Sequence, residues 1–221
     1  MHTQPRDLPP ISAQVAKALE LRRPRYQLNL ARRASVLIAL IEDGGPPRLL
    51  LTRRASSLGN HSGEVAYPGG MMDPSDESVA HTALREAYEE VRLPAEHVEL
   101  LGPLDDMIPK NRAVAVTPWV GLIRSLPPLV ANSAEVARIF YIPLSALREP
   151  GRWQTKDVSW DGRSWPIHFF NYDGERLWGL SAFFTLALLG LTEEGAPIKP
   201  NWSAIHQTLN AHIQGASHET S

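Results

Sequence analysis

Apolar positions along the chain change period several times, and each change marks an element. "ISAQVAKALELRR" (11–23) spaces its apolar residues as a helix does until Pro24 halts it. "SVLIALIE" (35–42) and "PRLLLTRR" (47–54) are β-rich apolar runs around "DGGP", which predicts a hairpin. "VELLGPLDDM" (98–107), "AVAVTPWVGLI" (113–123) and "VARIFYIPL" (136–144) read as strands, the last leading into a short helix at about 143–148. Asp161-Gly162 and Asp173-Gly174 separate alternating aromatic segments, the pattern of a meander. Helices over about 180–191 and 201–213 close the chain. No repeat, low-complexity tract or long linker interrupts this order, so one α+β domain is expected. Its parts are an extension with a helix (1–33), a main unit (34–195), and a carboxy-terminal helix and tail (196–221) packed on that unit.

Composition narrows the chemistry. The 221 residues are 43% hydrophobic with a net charge of −2, enough to bury a core and too neutral to coat nucleic acid. The basic cluster Arg22, Arg23, Arg25, Arg32 and Arg33 reads as a solvated face. With no cysteine, any metal must take oxygen or imidazole ligands, and a reducing cytoplasm suits the chain. The apolar run at 180–191 is too short to span a bilayer and no signal-type segment opens the chain, so a cytoplasmic protein without a membrane partner is expected.

The chemistry-bearing stretch is "YPGGMMDPSDESVAHTALREAYEEVRLP" (67–94). Asp73-Pro74-Ser75-Asp76 predicts a helix start near Pro74. On that helix Ala80, Leu84, Ala87 and Val91 form an apolar stripe, and Glu86, Glu89 and Glu90 share a neighbouring arc of about 100°. A solvated acidic face is the ordinary explanation. Two details count against it. The acids lie in the last turn, where the helix dipole disfavours negative charge. The helix also follows Pro68-Gly69-Gly70, whose glycines let backbone carbonyls approach it. Carboxylates plus carbonyls are the ligand set of Mg²⁺ or Mn²⁺, and such a site suits phosphoryl chemistry.

These residues resemble the box of the Nudix hydrolases, G-x5-E-x7-R-E-U-x-E-E-x-G-U, through Gly70, Glu77, Arg85, Glu86, Ala87, Glu89, Glu90 and Leu93. Six residues rather than five separate Gly70 from Glu77, and Arg92 stands where the box has glycine. The resemblance implies a Nudix-type α/β/α sandwich with the acidic helix after a Gly-Gly turn. It also implies a metal shell of Glu86, Glu89, Glu90 and the Gly70 carbonyl, with Glu86 a candidate base, Arg85 orienting carboxylates and Glu77 supporting. Glu135 sits where the family often draws a later catalytic acid, with a surface glutamate the equal alternative.

Upstream, "LLTRRASSLGNHSGEVAYPGG" (50–70) resembles the signature of the coenzyme A diphosphatase branch through Thr52, Arg54, Gly63, Pro68, Gly69 and Gly70. Ala55, Gly59 and Tyr67 replace its Ser, second Arg and Phe. Arg54, His61 and Tyr67 are the implied substrate contacts, and Arg53 or Lys110 could compensate for the lost arginine from another direction; a turn histidine remains the alternative for His61, and a solvent-facing charge the default for Arg53 and Lys110. The implied reaction is metal-dependent hydrolysis of the diphosphate in CoA or acyl-CoA. Another nucleoside diphosphate derivative, such as ADP-ribose or NADH, and a non-catalytic nucleotide sensor are the alternatives. The implied partner is a small nucleotide, and homodimerisation is left open.

Overall fold

The computed structural model describes residues 9–26, 30, 32–56, 63–109, 114–160 and 163–200. In chain order the elements are α1 (Ile11–Leu21), β1 (Arg33–Ile41), β2 (Arg48–Arg54), β3 (Val65–Ala66), β4 (Gly69–Met71), α2 (Val79–Val91), β5 (Glu99–Pro103), β6 (Ala115–Ile123), β7 (Val136–Pro143), α3 (Leu144–Leu147), β8 (Trp153–Trp160), β9 (Arg163–Tyr172), β10 (Glu175–Trp178) and α4 (Gly179–Leu189). The helix expected near 201–213, the Asp161-Gly162 turn, Gly59, His61 and Lys110 lie outside the described residues.

Strand β1 is apolar almost throughout because both of its faces are covered. Leu37, Ala39 and Ile41 point to a cluster with Ala83, Ala87 and Val91 of α2. Ile38 and Leu40 point the other way, to Val15 and Leu19 of α1 and to Phe183, Leu186 and Leu189 of α4. Helices thus cover a mixed sheet on both sides, the expected α/β/α arrangement. Each fully buried Leu or Ile here contributes about 1.5–3 kcal/mol.

The sheet geometry brings the glycine turn to the acidic helix. β1 runs parallel to β6 along its whole length and meets β2 antiparallel at Leu40↔Leu49 and Ile41↔Arg48. Its amino-terminal half pairs with β4 instead, Val36 opposite Gly69 and Ser35 opposite Gly70. β2 continues onto β7 and β3, and β5 borders β6. A second antiparallel sheet, β10-β9-β8, packs Trp153, Phe170 and Leu177 into the core. The sequence predicted the hairpin and the Asp173-Gly174 turn but treated Pro68-Gly69-Gly70 as a turn and assigned no strand over residues 65–71. Two- and three-residue strands carry too few positions for a period.

Helix α2 begins later than Asp73-Pro74 predicts. The Asp73 carboxylate accepts from Ser75 Oγ and the Ser75 N–H, closing a turn, and Ser78 is the cap, its Oγ accepting from the His81 N–H at 3.1 Å. The buried stripe is also rotated: Ala83, Ala87 and Val91 are fully buried with Thr82 and Glu90, whereas Ala80 and Leu84 are half-exposed.

At the other end Arg92 adopts the left-handed conformation, φ 57° and ψ 37°. Its N–H donates to the Tyr88 carbonyl, the single bond of an αL cap, and the Leu93 N–H donates to the Ala87 carbonyl. This is the position where the box carries glycine, so the arginine occupies a conformation that favours glycine. Arg92→Gly is therefore expected to stabilise the fold by about 0.5–1 kcal/mol, read as a higher denaturation midpoint at unchanged slope.

Candidate active site

The acidic cluster is built around one guanidinium. Arg85 Nε and Nη2 donate to the two Asp76 oxygens at 2.9 Å each, Nη1 donates to Glu86 and Glu89 at 3.0 Å each, and Nη2 also donates to the Met71 carbonyl at 3.0 Å. Asp76 is buried and further accepts from Thr82 Oγ1 and the Asp73 N–H. Arg85, first of all, holds the Asp76 carboxyl far below the usual carboxylate range. Glu77, aligned with the box's first acid, is instead exposed, and among the described residues its carboxylate makes no ion pair. The supporting role expected of Glu77 thus passes to Asp76. The extra residue falls after this acid, and Gly70-x5-Asp76 restores the box's first spacing.

The three glutamates of α2 differ in environment. Glu89 is exposed and tied to Arg85 four residues back. Glu86 is mostly buried, and burial raises its pKa against the opposing pull of Arg85, with Glu89 and Glu135 adding to the rise. Glu90 is 3% exposed. Burial, reinforced by Glu86 and Glu135, pushes its carboxyl up to about 8, while Arg54 and the Gly69 N–H draw it down.

Gly70 fits closely against this group. A Cβ there would fall 2.6 Å from the Glu86 Cδ, so only glycine admits the carboxylate beside the turn. At Gly69 a Cβ would strike β1, 2.7 Å from the Val36 Cα. Among the described residues no three acidic or histidine side chains stand together as a ready ligand set. Arg85 holds Glu86 and Glu89 in the conformations seen. The donors are nevertheless all oxygens, and a carboxylate buried with too little positive charge fits a hard cation.

The remaining candidates divide. Arg54, at the end of β2, lies within electrostatic reach of Glu90, and its Nε is buried without a hydrogen-bond partner among the described residues. Glu135 raises the pKa values of both Glu86 and Glu90, which places it with them. Arg53, on the opposite face, bonds to buried Glu175 at 3.2 Å, beside Arg138. Tyr67 is 2% exposed, with its hydroxyl 2.6 Å from Thr185 Oγ1. Tyr67 is thus a core residue behind the turn, and the expectation of a substrate contact is corrected. Among the tryptophans, Trp153 is buried and donates to the Leu147 carbonyl, while Trp178 is 38% exposed and stacks on Phe169.

With this geometry in view, residues 31–160 match the NUDIX domain family. The chain is 43% identical over 168 residues to a protein of Photorhabdus laumondii named "Uncharacterized Nudix hydrolase NudL", covering 72% of this chain and 89% of that one. A namesake from Yersinia pestis is 43% identical over 151 residues, 68% of this chain and 75% of that one. A solved Ap4A hydrolase binary complex from C. elegans overlays 51% of this chain and 80% of its own, with 19% identity and a TM-score of 0.44. The chain belongs to the Nudix family. It is a hydrolase of phosphorus-containing anhydrides, acting on nucleoside diphosphate derivatives. No helix among the described residues is long and apolar enough to cross a membrane.

Two outcomes follow from the charges. Asp76→Ala, which strips a buried partner from Arg85, is expected to cost about 3 kcal/mol of stability, and Glu77→Ala less than about 0.5 kcal/mol; urea melts compare them directly. For Glu90, the folded-state pKa of about 8 exceeds the ordinary 4.5, so the folded protein holds the proton more tightly and loses stability as pH rises through that window. In metal-free buffer Glu90→Gln should therefore melt above the wild type at pH 8 and level with it near pH 4.5.

Proposed function

We propose that the protein hydrolyses the diphosphate of CoA or acyl-CoA, giving 3′,5′-ADP and (acyl) 4′-phosphopantetheine. The observation that carries the reading is Arg54, the retained arginine of the 50–70 signature. Its buried Nε has no protein partner among the described residues, and it lies on the Glu90 side of β2. A cation there without a full set of partners suits a phosphate oxygen.

Gly70 through its carbonyl, with Glu86, Glu89 and Glu90, would hold Mg²⁺ or Mn²⁺. When bound, the metal neutralises diphosphate charge and acidifies a water. The chain's own residues do the rest. Asp76 fixes Arg85, and Arg85 fixes Glu86 and Glu89 at one edge of the helix. Glu135, with Glu86, supplies a carboxylate able to take the proton of an attacking water. Several coupled acids titrate as a set, so the proton is assigned to the group. A cytoplasmic site of action belongs to the same reading.

A specific observation favours a second substrate. Gly59 removes one signature arginine, and Arg53, which could have replaced it, is committed to Glu175 at 3.2 Å. An ADP-ribose or NADH diphosphatase asks for no 3′-phosphate contact. Incubating the protein with CoA, acetyl-CoA, ADP-ribose and NADH together, with Mg²⁺ or Mn²⁺, separates the two readings by mass spectrometry. Preferential release of 3′,5′-ADP is expected. AMP from ADP-ribose or NADH with CoA intact would overturn the CoA reading. Glu86→Gln should lower whichever turnover is seen by about a hundredfold or more, and an unchanged rate would remove the acidic helix from the chemistry.

A further inference from the structure

The loop that delivers Glu135 is tied to the helix that carries Glu90. The Val130 N–H donates to the Val91 carbonyl at 3.0 Å and the Asn132 N–H to the Glu90 carbonyl at 2.8 Å. These bonds use carbonyls that a helix leaves open at its carboxy-terminal end. Leu126 and Leu129 add apolar contact with the cluster under α2. On the far side of the loop, the Glu135 carbonyl accepts from the Ala55 N–H of the segment after β2 at 2.8 Å.

Asn132 is the joint of this loop. Its carbonyl accepts from the N–H groups of Glu135 and Val136, at 2.9 and 2.8 Å, and its Oδ1 accepts from the Ala134 N–H at 3.3 Å. That leaves Nδ2, which donates to Glu135 Oε1 at 3.2 Å. One residue thus sets the backbone of Glu135 against α2 and aims its carboxylate. Because an amide is neutral, it aims that carboxylate without forming an ion pair with it, and a guanidinium in its place would compete for the proton-accepting oxygens.

We propose that Asn132 is a positioning residue for hydrolysis, acting through Glu135. This inference rests on the hydrolase reading above and deepens it. Asn132→Ala is expected to lower kcat by about ten- to a hundredfold, with KM nearly unchanged because the Asn132 side chain is engaged with Glu135 and the Ala134 N–H. Asn132→Asp separates aim from folding. It keeps an oxygen for the Ala134 N–H, loses the donor, and sets a like charge beside Glu135.

A double-mutant cycle with Glu135→Gln, run on whichever substrate the wild type cleaves, tests the proposal, with a thermal melt of every variant. If Asn132 acts through Glu135, the Asn132→Ala, Glu135→Gln protein is slower than Glu135→Gln alone by no more than about twofold. Asn132→Asp then melts near the wild type yet shows a reduced kcat. Losses that multiply, or a wild-type kcat in Asn132→Asp, overturn the proposal while leaving the hydrolase reading in place. A wild type that cleaves none of the four substrates overturns the proposed function, and the inference about Asn132, which rests on it, falls with it.

Discussion

Arg85 sits where three parts of the chain must meet. Its guanidinium bonds to the turn that precedes α2 through Asp76, to the Gly-Gly strand through the Met71 carbonyl, and to the helix's own acids through Glu86 and Glu89. Without a cation at that point, carboxylates three and four residues apart on one helix would repel one another and be opposed by the helix dipole. With it, two of the acids are compensated and Glu90 is not. Arg54 and the Gly69 N–H offset its charge only in part, so its proton is held up to about 8. Under the proposed function, this poorly compensated carboxyl is one that a divalent cation would use.

The sheet makes that arrangement possible. Since β1 gives its amino-terminal half to β4 and only its far end to β2, the Gly69-Gly70 backbone lies against the centre of the sheet. The apolar face of α2 then sets the depth of the acids. Ala87 and Val91 are fully buried, and Glu90, next to Val91 on the same helix, is carried down with them. The loop through Asn132 closes the same region from the other side, bonding to α2 at the Glu90 carbonyl.

Much of this was legible in the sequence. Strands such as "SVLIALIE" declare themselves by apolar content, and the box spacing marked Arg85, Glu86, Glu89 and Glu90 before any coordinates. What stayed hidden depended on side-chain pairing rather than period. Glu77 fitted the aligned position, yet Asp76 holds the arginine, and only the count back from Gly70 hinted at it. Tyr67 fills the aromatic position of the 50–70 signature, which implied a substrate contact, but its hydroxyl meets Thr185 of α4. The left-handed Arg92 could be inferred from the box's glycine, whereas Asn132 carried no motif that marked it.

The central claim is that the acidic edge of α2 is arranged for a divalent cation. Isothermal titration of the metal-free protein with Mn²⁺ at pH 7, repeated in two buffers of different ionisation enthalpy, tests it most directly. The account predicts saturable binding that releases protons, because Glu90 gives up its proton as the cation arrives. Absence of saturable binding, or binding with no proton released, would contradict it.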